Sequence, residues 1–169
     1  MSSIIPFYSH TRGPYRCMSQ FYPANFTIDC GSSGKIRFNC AEQWMMYSKS
    51  TLFPGNESIT KKILATSSPS DIKALGRQVK GFTPGVWDTH RYQIVVAGNL
   101  AKFSQNPHLS KILTDTGKAT LVEASPNDNI WGVGLHIDDP DIYHAEKWKG
   151  LNLLGKALMD VRDQLVAQV

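Results

Sequence analysis

A chain of 169 residues that is 41% hydrophobic and 19% charged has enough material to bury one core of its own. Its net charge of +4 and pI near 9.0 suit a phosphate-bearing ligand or nucleic acid without requiring one. No apolar run reaches the roughly 18 residues that a membrane span needs, and no low-complexity segment or long charge run interrupts the chain.

Taken from the beginning, MSSIIPFYSHTRG lacks the charged-then-apolar pattern of a signal peptide, so an intracellular location, cytoplasmic or nuclear, is expected. Residues 1 to 25 are rich in Gly, Pro, Ser and Tyr and read as irregular. FTID and KIRF flank CGSSG, which predicts a hairpin. Asn39 opens a helix, with Glu42 three residues on as a capping-box partner. Asn56 caps a helix carrying Ile59, Ile63 and Leu64. Ser68 and Pro69 open another, with Ile72 and Leu75 facing inward. From Trp87 a longer helix sets Tyr92, Val95, Val96, Leu100 and Phe103 on one face. Asn106 and Pro107 begin a short helix with Leu109, Ile112 and Leu113. ATLVEA is a strand. Residues 135 to 149 have no clean period and read as a surface loop. Leu151, Leu154, Leu158, Val161 and Leu165 form the apolar stripe of a last helix. The expected fold is α+β: a compact, mostly helical single domain over residues 1–169 with a small β element.

Three cysteines, Cys17, Cys30 and Cys40, form no C-x-x-C pair and argue for a reducing compartment. The histidines, His10, His90, His108, His136 and His144, are scattered, so neither a metal nor a cofactor is expected. No G-x-S-x-G, Walker A or G-x-G-x-x-G motif is present. The informative residues are carboxylates and aromatics. Glu42 heads an apolar helix, NCAEQWMMYSK, and is either a cap or a carboxylate in an apolar pocket, where its pKa would rise. Lys49 lies seven residues later near the same face, as a surface charge, a phosphate contact or an amine nucleophile. Arg77 is solvated or grips a phosphate. Trp87, after a Pro-Gly turn, is core, rim or a stacking surface. SPNDNIWGVGL places Trp131 against Gly132 and Gly134 just after Asp128. That is either a turn leading into a strand or a ligand-holding loop.

These segments resemble the NADAR family. GPYRCMSQFYPANFTID is similar to its opening G-x-Y-x-x-L-S-N-F-Y-P, and CAEQWMMYSK to its S-E-H/Q-x-x-Q-x-x-K helix. SPSDIKALGRQVKGFTPGVW resembles S-P-x-x-x-K-x-L-G-R…W, and the block ending SPNDNIWGVGL resembles S-P-x-D-x-x-W-G-x-G. WKGLNLLGKALMDVRDQL matches the closing segment. Gln20 stands where the family usually has Asn, and Met46 where it often has Gln. The long final loop resembles eukaryotic members.

The resemblance implies N-glycosidase chemistry. Some members cleave aminouracil ribosyl phosphates of riboflavin synthesis; others remove ADP-ribose from the guanine amino group in nucleic acid. Breaking a ribosyl C–N bond needs an acid near the nitrogen and a carboxylate near C1. Glu42 is expected as the acid–base group, Asp128 as the second carboxylate and Lys49 as an amine able to form a Schiff base. Gln20, Phe21, Arg77, Trp87 and Trp131 are expected to bind substrate, with Gly132 and Gly134 presenting backbone N–H groups to a phosphate. The expected partner is ADP-ribosylated guanine in DNA or a nucleotide-like small molecule, with Arg77, Lys80, Lys147 and Lys149 as phosphate contacts. A non-catalytic reader of ADP-ribose is the competing class. Two carboxylates in a pocket for a polyanion speak against it.

Overall fold

The computed structural model describes residues 2–169. Its elements are β1 (Ile4–Phe7), β2 (Phe26–Asp29), β3 (Lys35–Phe38), α1 (Ala41–Leu52), α2 (Glu57–Leu64), α3 (Pro69–Gly76), α4 (Pro84–Ser104), α5 (Pro107–Thr114), β4 (Thr120–Glu123) and α6 (Leu153–Ala167). Helices outweigh the short strands, as the α+β expectation had it. Two compact units emerge, Gln20–Asn106 and Met1–Ser19 with Pro107–Val169.

In the unit Gln20–Asn106, β2 and β3 form the expected antiparallel hairpin, with Phe26 opposite Phe38 and Asp29 opposite Lys35. Phe38 is fully buried. Its ring meets Trp44 at 5.3 Å and Tyr47 at 5.4 Å, tying the hairpin to α1. Two glycines set how closely α1 is approached. A methyl group on Gly76 would overlap Met46 Sδ, and one on Gly98 would overlap the Trp44 indole. α3 and α4 therefore close on α1 where they carry no side chain. α3 starts as its sequence demands: Ser68 Oγ accepts from Asp71 N at 3.4 Å, and Pro69 takes the first helical position. α4 begins at Pro84, ahead of Trp87, because Pro84 suits a first turn whose N–H groups have no partner.

The start of α1 differs from the expectation. Its N-cap is Cys40 rather than Asn39, and the side chain that receives the Asn39 N–H is that of Gln43. Gln43 Oε1 accepts from Asn39 N at 2.8 Å, while its Nε2 donates to Ile63 O at 3.0 Å and Thr66 O at 3.2 Å. One buried amide thus ties the head of α1 to carbonyls at the end of α2 and just beyond it. Asn56 is the N-cap residue of α2, as expected, but its side chain makes no cap hydrogen bond. Its side chain instead spans Phe53 O, Lys80 O and Lys80 N, at 2.9, 2.9 and 2.7 Å.

In the other unit, β4 is present as expected and its partner is β1. Ile4 pairs with Thr120 and Phe7 with Glu123 in parallel. Residues 1 to 25 were expected to be irregular. The IIPF strand escaped notice because a lone four-residue apolar run has no period to read. Asn152 holds the sheet from the side: its Nδ2 donates to Leu121 O at 2.9 Å, and its Oδ1 accepts from Glu123 N at 3.0 Å. The backbone there is left-handed, with φ 55°, which Asn tolerates better than most residues. That turn starts α6 at Leu153, so Leu151, expected on its stripe, lies outside it and is 51% exposed. Leu154, Leu158, Val161 and Leu165 are buried as expected. Arg162 is buried on the same helix, and its Nη1 donates to Thr116 Oγ1 and Ala119 O, both at 2.8 Å. The 135–149 segment is more than surface: Leu135 and Ile142 join Val122, Ala124 and Val133 in a core cluster. Trp148 Nε1 locks it by donating to Ile142 O at 2.9 Å.

Candidate functional site

Glu42 sits in the first turn of α1, only 6% exposed, where the helix dipole favours a carboxylate. Its own N–H donates to Gln20 O at 2.9 Å, which anchors that turn to the preceding segment. Two turns on, Lys49 is half-buried. Its Nζ lies 4.7 Å from the centre of the Phe82 ring and 6.0 Å from that of Trp87. Burial pulls the Lys49 pKa below the ordinary lysine value; the Glu42 carboxylate opposes that shift and the Arg77 guanidinium adds to it. The neutral, nucleophilic amine is therefore more populated than in an exposed lysine. Trp87 is buried and Arg77 exposed. Neighbouring Cys40 is no competitor as nucleophile, since burial raises its thiol to about 11.

Gln20 is half-buried. Its Oε1 accepts from Asn99 Nδ2 at 2.8 Å, and its Nε2 faces Met45 Sδ at 3.8 Å. Phe21 lines a cavity of about 290 Å³ with Asn39 and Cys40, and Lys73 Nζ stands 6.0 Å from its ring centre. Gln20, Phe21, Glu42, Lys49, Arg77 and Trp87 all belong to the unit Gln20–Asn106.

Asp128, Trp131, Gly132 and Gly134 belong to the other unit. Asp128 Oδ1 accepts from Ile130 N at 2.9 Å and Trp131 N at 2.8 Å, which folds the turn back on itself. Trp131 is half-buried. The glycines have a packing reason of their own. A Cβ on Gly132 would stand 2.9 Å from Glu123 O and 3.0 Å from Asp128 O, while Gly134 has φ +71° and lies against Lys149. Lys147 is paired with Asp141 at 2.9 Å, which leaves Arg77, Lys80 and Lys149 as the exposed cations of the expected set without an ion pair among the described residues.

Sequence reasoning missed Phe82, Gln43 and Asn99. Asn99 carried a usable signal, because it falls on the apolar stripe of α4 between Val95, Val96 and Phe103 and is fully buried.

The NADAR domain family model matches residues 6–166, taking in parts of both units. The N-glycosidase R617 of Acanthamoeba polyphaga mimivirus is 46% identical over 146 residues, covering 86% of this chain and 85% of the relative. The N-glycosidase YbiA of Escherichia coli is 32% identical over 113 residues, covering 67% of this chain and 64% of the relative. Its NMR structure superposes with a TM-score of 0.78 at 28% identity over 99% of this chain and 87% of that one. The chloroplastic riboflavin biosynthesis protein PYRR of Zea mays is 32% identical over 120 residues, 69% of this chain but 18% of that protein. A match over nearly the whole length, close relatives in sequence and a shared fold lead to one assignment: the chain belongs to the NADAR domain family.

Proposed function

We infer that the protein hydrolyses an N-glycosyl bond, the activity in the names of its relatives, and we propose that this bond joins ribose C1 to the guanine amino group of ADP-ribosylated DNA. The observation that carries the chemistry is the pairing on α1 of a buried carboxylate, Glu42, with an amine, Lys49, whose pKa burial depresses.

An amine-linked ribose can open. Protonation of the ring oxygen breaks the C1–O bond and leaves an imine between C1 and the guanine nitrogen. Neutral Lys49 adds to C1, the guanine nitrogen takes a proton, and guanine departs as its free amine, leaving C1 in a Schiff base with Lys49. Water adds to that imine, and collapse of the adduct releases the sugar aldehyde and the lysine amine. Glu42 supplies and recovers the protons. Trp87 walls the ligand, and Arg77 takes a phosphate. Exposed Arg77, Lys80 and Lys149 support a DNA substrate, since each phosphate contact adds salt-sensitive affinity. The similarity to PYRR favours a second reading, cleavage of an aminouracil ribosyl phosphate by the same residues.

The deciding experiment compares kcat/KM on DNA carrying ADP-ribosylated guanine and on the aminouracil ribosyl phosphate at one salt concentration. A preference for DNA supports the first reading. A preference for the aminouracil transfers the enzyme to the second.

A further inference from the structure

The orientation of the Gln20 amide is dictated by its surroundings. Asn99 Nδ2 donates to Val95 O at 2.9 Å and to Gln20 Oε1 at 2.8 Å. The Val95 carbonyl can only accept, so it fixes which end of the Asn99 amide is nitrogen. An amide nitrogen has no lone pair to offer, so Gln20 must face Asn99 with its oxygen. The usual ambiguity between amide oxygen and nitrogen is thereby removed at both residues. Gln20 Nε2 is turned the other way, and its partner there is Met45 Sδ at 3.8 Å, a weak acceptor.

Asn99 itself is fully buried, and its Oδ1 has no hydrogen-bond partner among the described residues. A packing role alone would be filled better by an apolar side chain, which leaves no oxygen unsatisfied. The residue so held also touches the catalytic helix, through the bond from Glu42 N to Gln20 O at 2.9 Å.

We propose that Asn99 is a positioning residue that locks the Gln20 amide so that Nε2 donates to an acceptor oxygen of the substrate, a sugar hydroxyl or a base carbonyl. The inference rests on Gln20 binding substrate, as read above. Met45 Sδ keeps the nitrogen in place until the stronger acceptor arrives.

A double-mutant cycle tests it: wild type, Asn99→Leu, Gln20→Met and the pair, with ADP-ribose binding read by calorimetry and kcat/KM read on both glycosides. Asn99→Leu is expected to weaken ADP-ribose binding about five- to tenfold. In the Gln20→Met background the same change is expected to cost less than about twofold, since Asn99 then has nothing to position. If Asn99→Leu does not fold, Asn99→Ser replaces it, being too short to hold Gln20. Equal losses in both backgrounds overturn the proposal and leave Asn99 a structural residue; so does an unchanged or absent affinity for ADP-ribose. Coupled binding losses with neither glycoside cleaved by wild type would instead overturn the N-glycosidase reading and leave this one standing.

Discussion

Glu42→Gln should separate catalysis from folding. The substitution keeps the shape of a side chain that is 6% exposed and removes its charge and its exchangeable proton. On stability two effects compete. The carboxylate gains from the first turn of α1, a benefit of about 0.3–1 kcal/mol, and loses from being taken out of water. The net change stays within about 1 kcal/mol, a shift of roughly 2–4 °C in Tm for a chain of this size. Against a typical stability of about 5–15 kcal/mol, such a loss leaves nearly all molecules folded. Loss of proton transfer, in contrast, lowers turnover by about 10²–10⁴-fold. A drop of that size therefore cannot be blamed on unfolding. A second consequence has a definite sign. Glu42 is the group that holds the Lys49 pKa up against burial, so its neutralisation lets that pKa fall further. The Lys49 inflection in the residual pH–rate profile should move to lower pH. The assay is kcat/KM between about pH 4 and 11, a window that spans the ordinary glutamate and lysine values of about 4.3 and 10.4, on both candidate glycosides, beside thermal melts. Activity within a few-fold of wild type in a folded Glu42→Gln protein would refute the acid–base role. An inflection that moves upward would refute the electrostatic pairing.

Four further outcomes are expected. Borohydride added during turnover should trap a ribosyl adduct on Lys49, found by intact mass and peptide mapping; no adduct, together with full activity of Lys49→Ala, would replace the covalent route by direct water attack. Burial leaves folded Lys49 binding its proton less tightly than the unfolded chain does, so stability should rise with pH between the depressed folded value and the ordinary lysine value of about 10.4. Lys49→Met should flatten that rise in pH-dependent melts, and an unchanged slope would contradict it. Adding salt should lower kcat/KM steeply on the DNA substrate and less on the small nucleotide; parallel slopes would remove the phosphate contacts from the argument. Gly98→Ala should destabilise by about 1–3 kcal/mol and more than Gly76→Ala, because the first meets the rigid indole of Trp44 and the second the flexible end of Met46. Denaturant titration of the two would expose a reversed order.

Features of local origin were legible in the sequence. Ser68-Pro69 starts α3, Pro107 starts α5, the CGSSG turn joins β2 to β3, and the stripe from Leu154 to Leu165 buries α6. Each depends on neighbours a few residues away, through a cap, a fixed φ or a helical period. The ordered motifs likewise sufficed for the NADAR family. Relations between distant residues were left to the tertiary structure. IIPF is a strand only because β4, over 110 residues later, supplies its hydrogen bonds. The head of α1 turned on Gln43, whose amide is drawn to carbonyls at the end of α2 and just beyond it, Ile63 and Thr66. Lys49 has its depressed pKa from burial and from Arg77, 28 positions away in the chain. Asn99, a polar residue on the apolar stripe of α4, has its partner in Gln20, 79 residues earlier. Helical periods and tight turns are settled by the local chain. Burial, amide orientation and pKa depend on which distant groups exclude water from a site, and only the folded chain decides that.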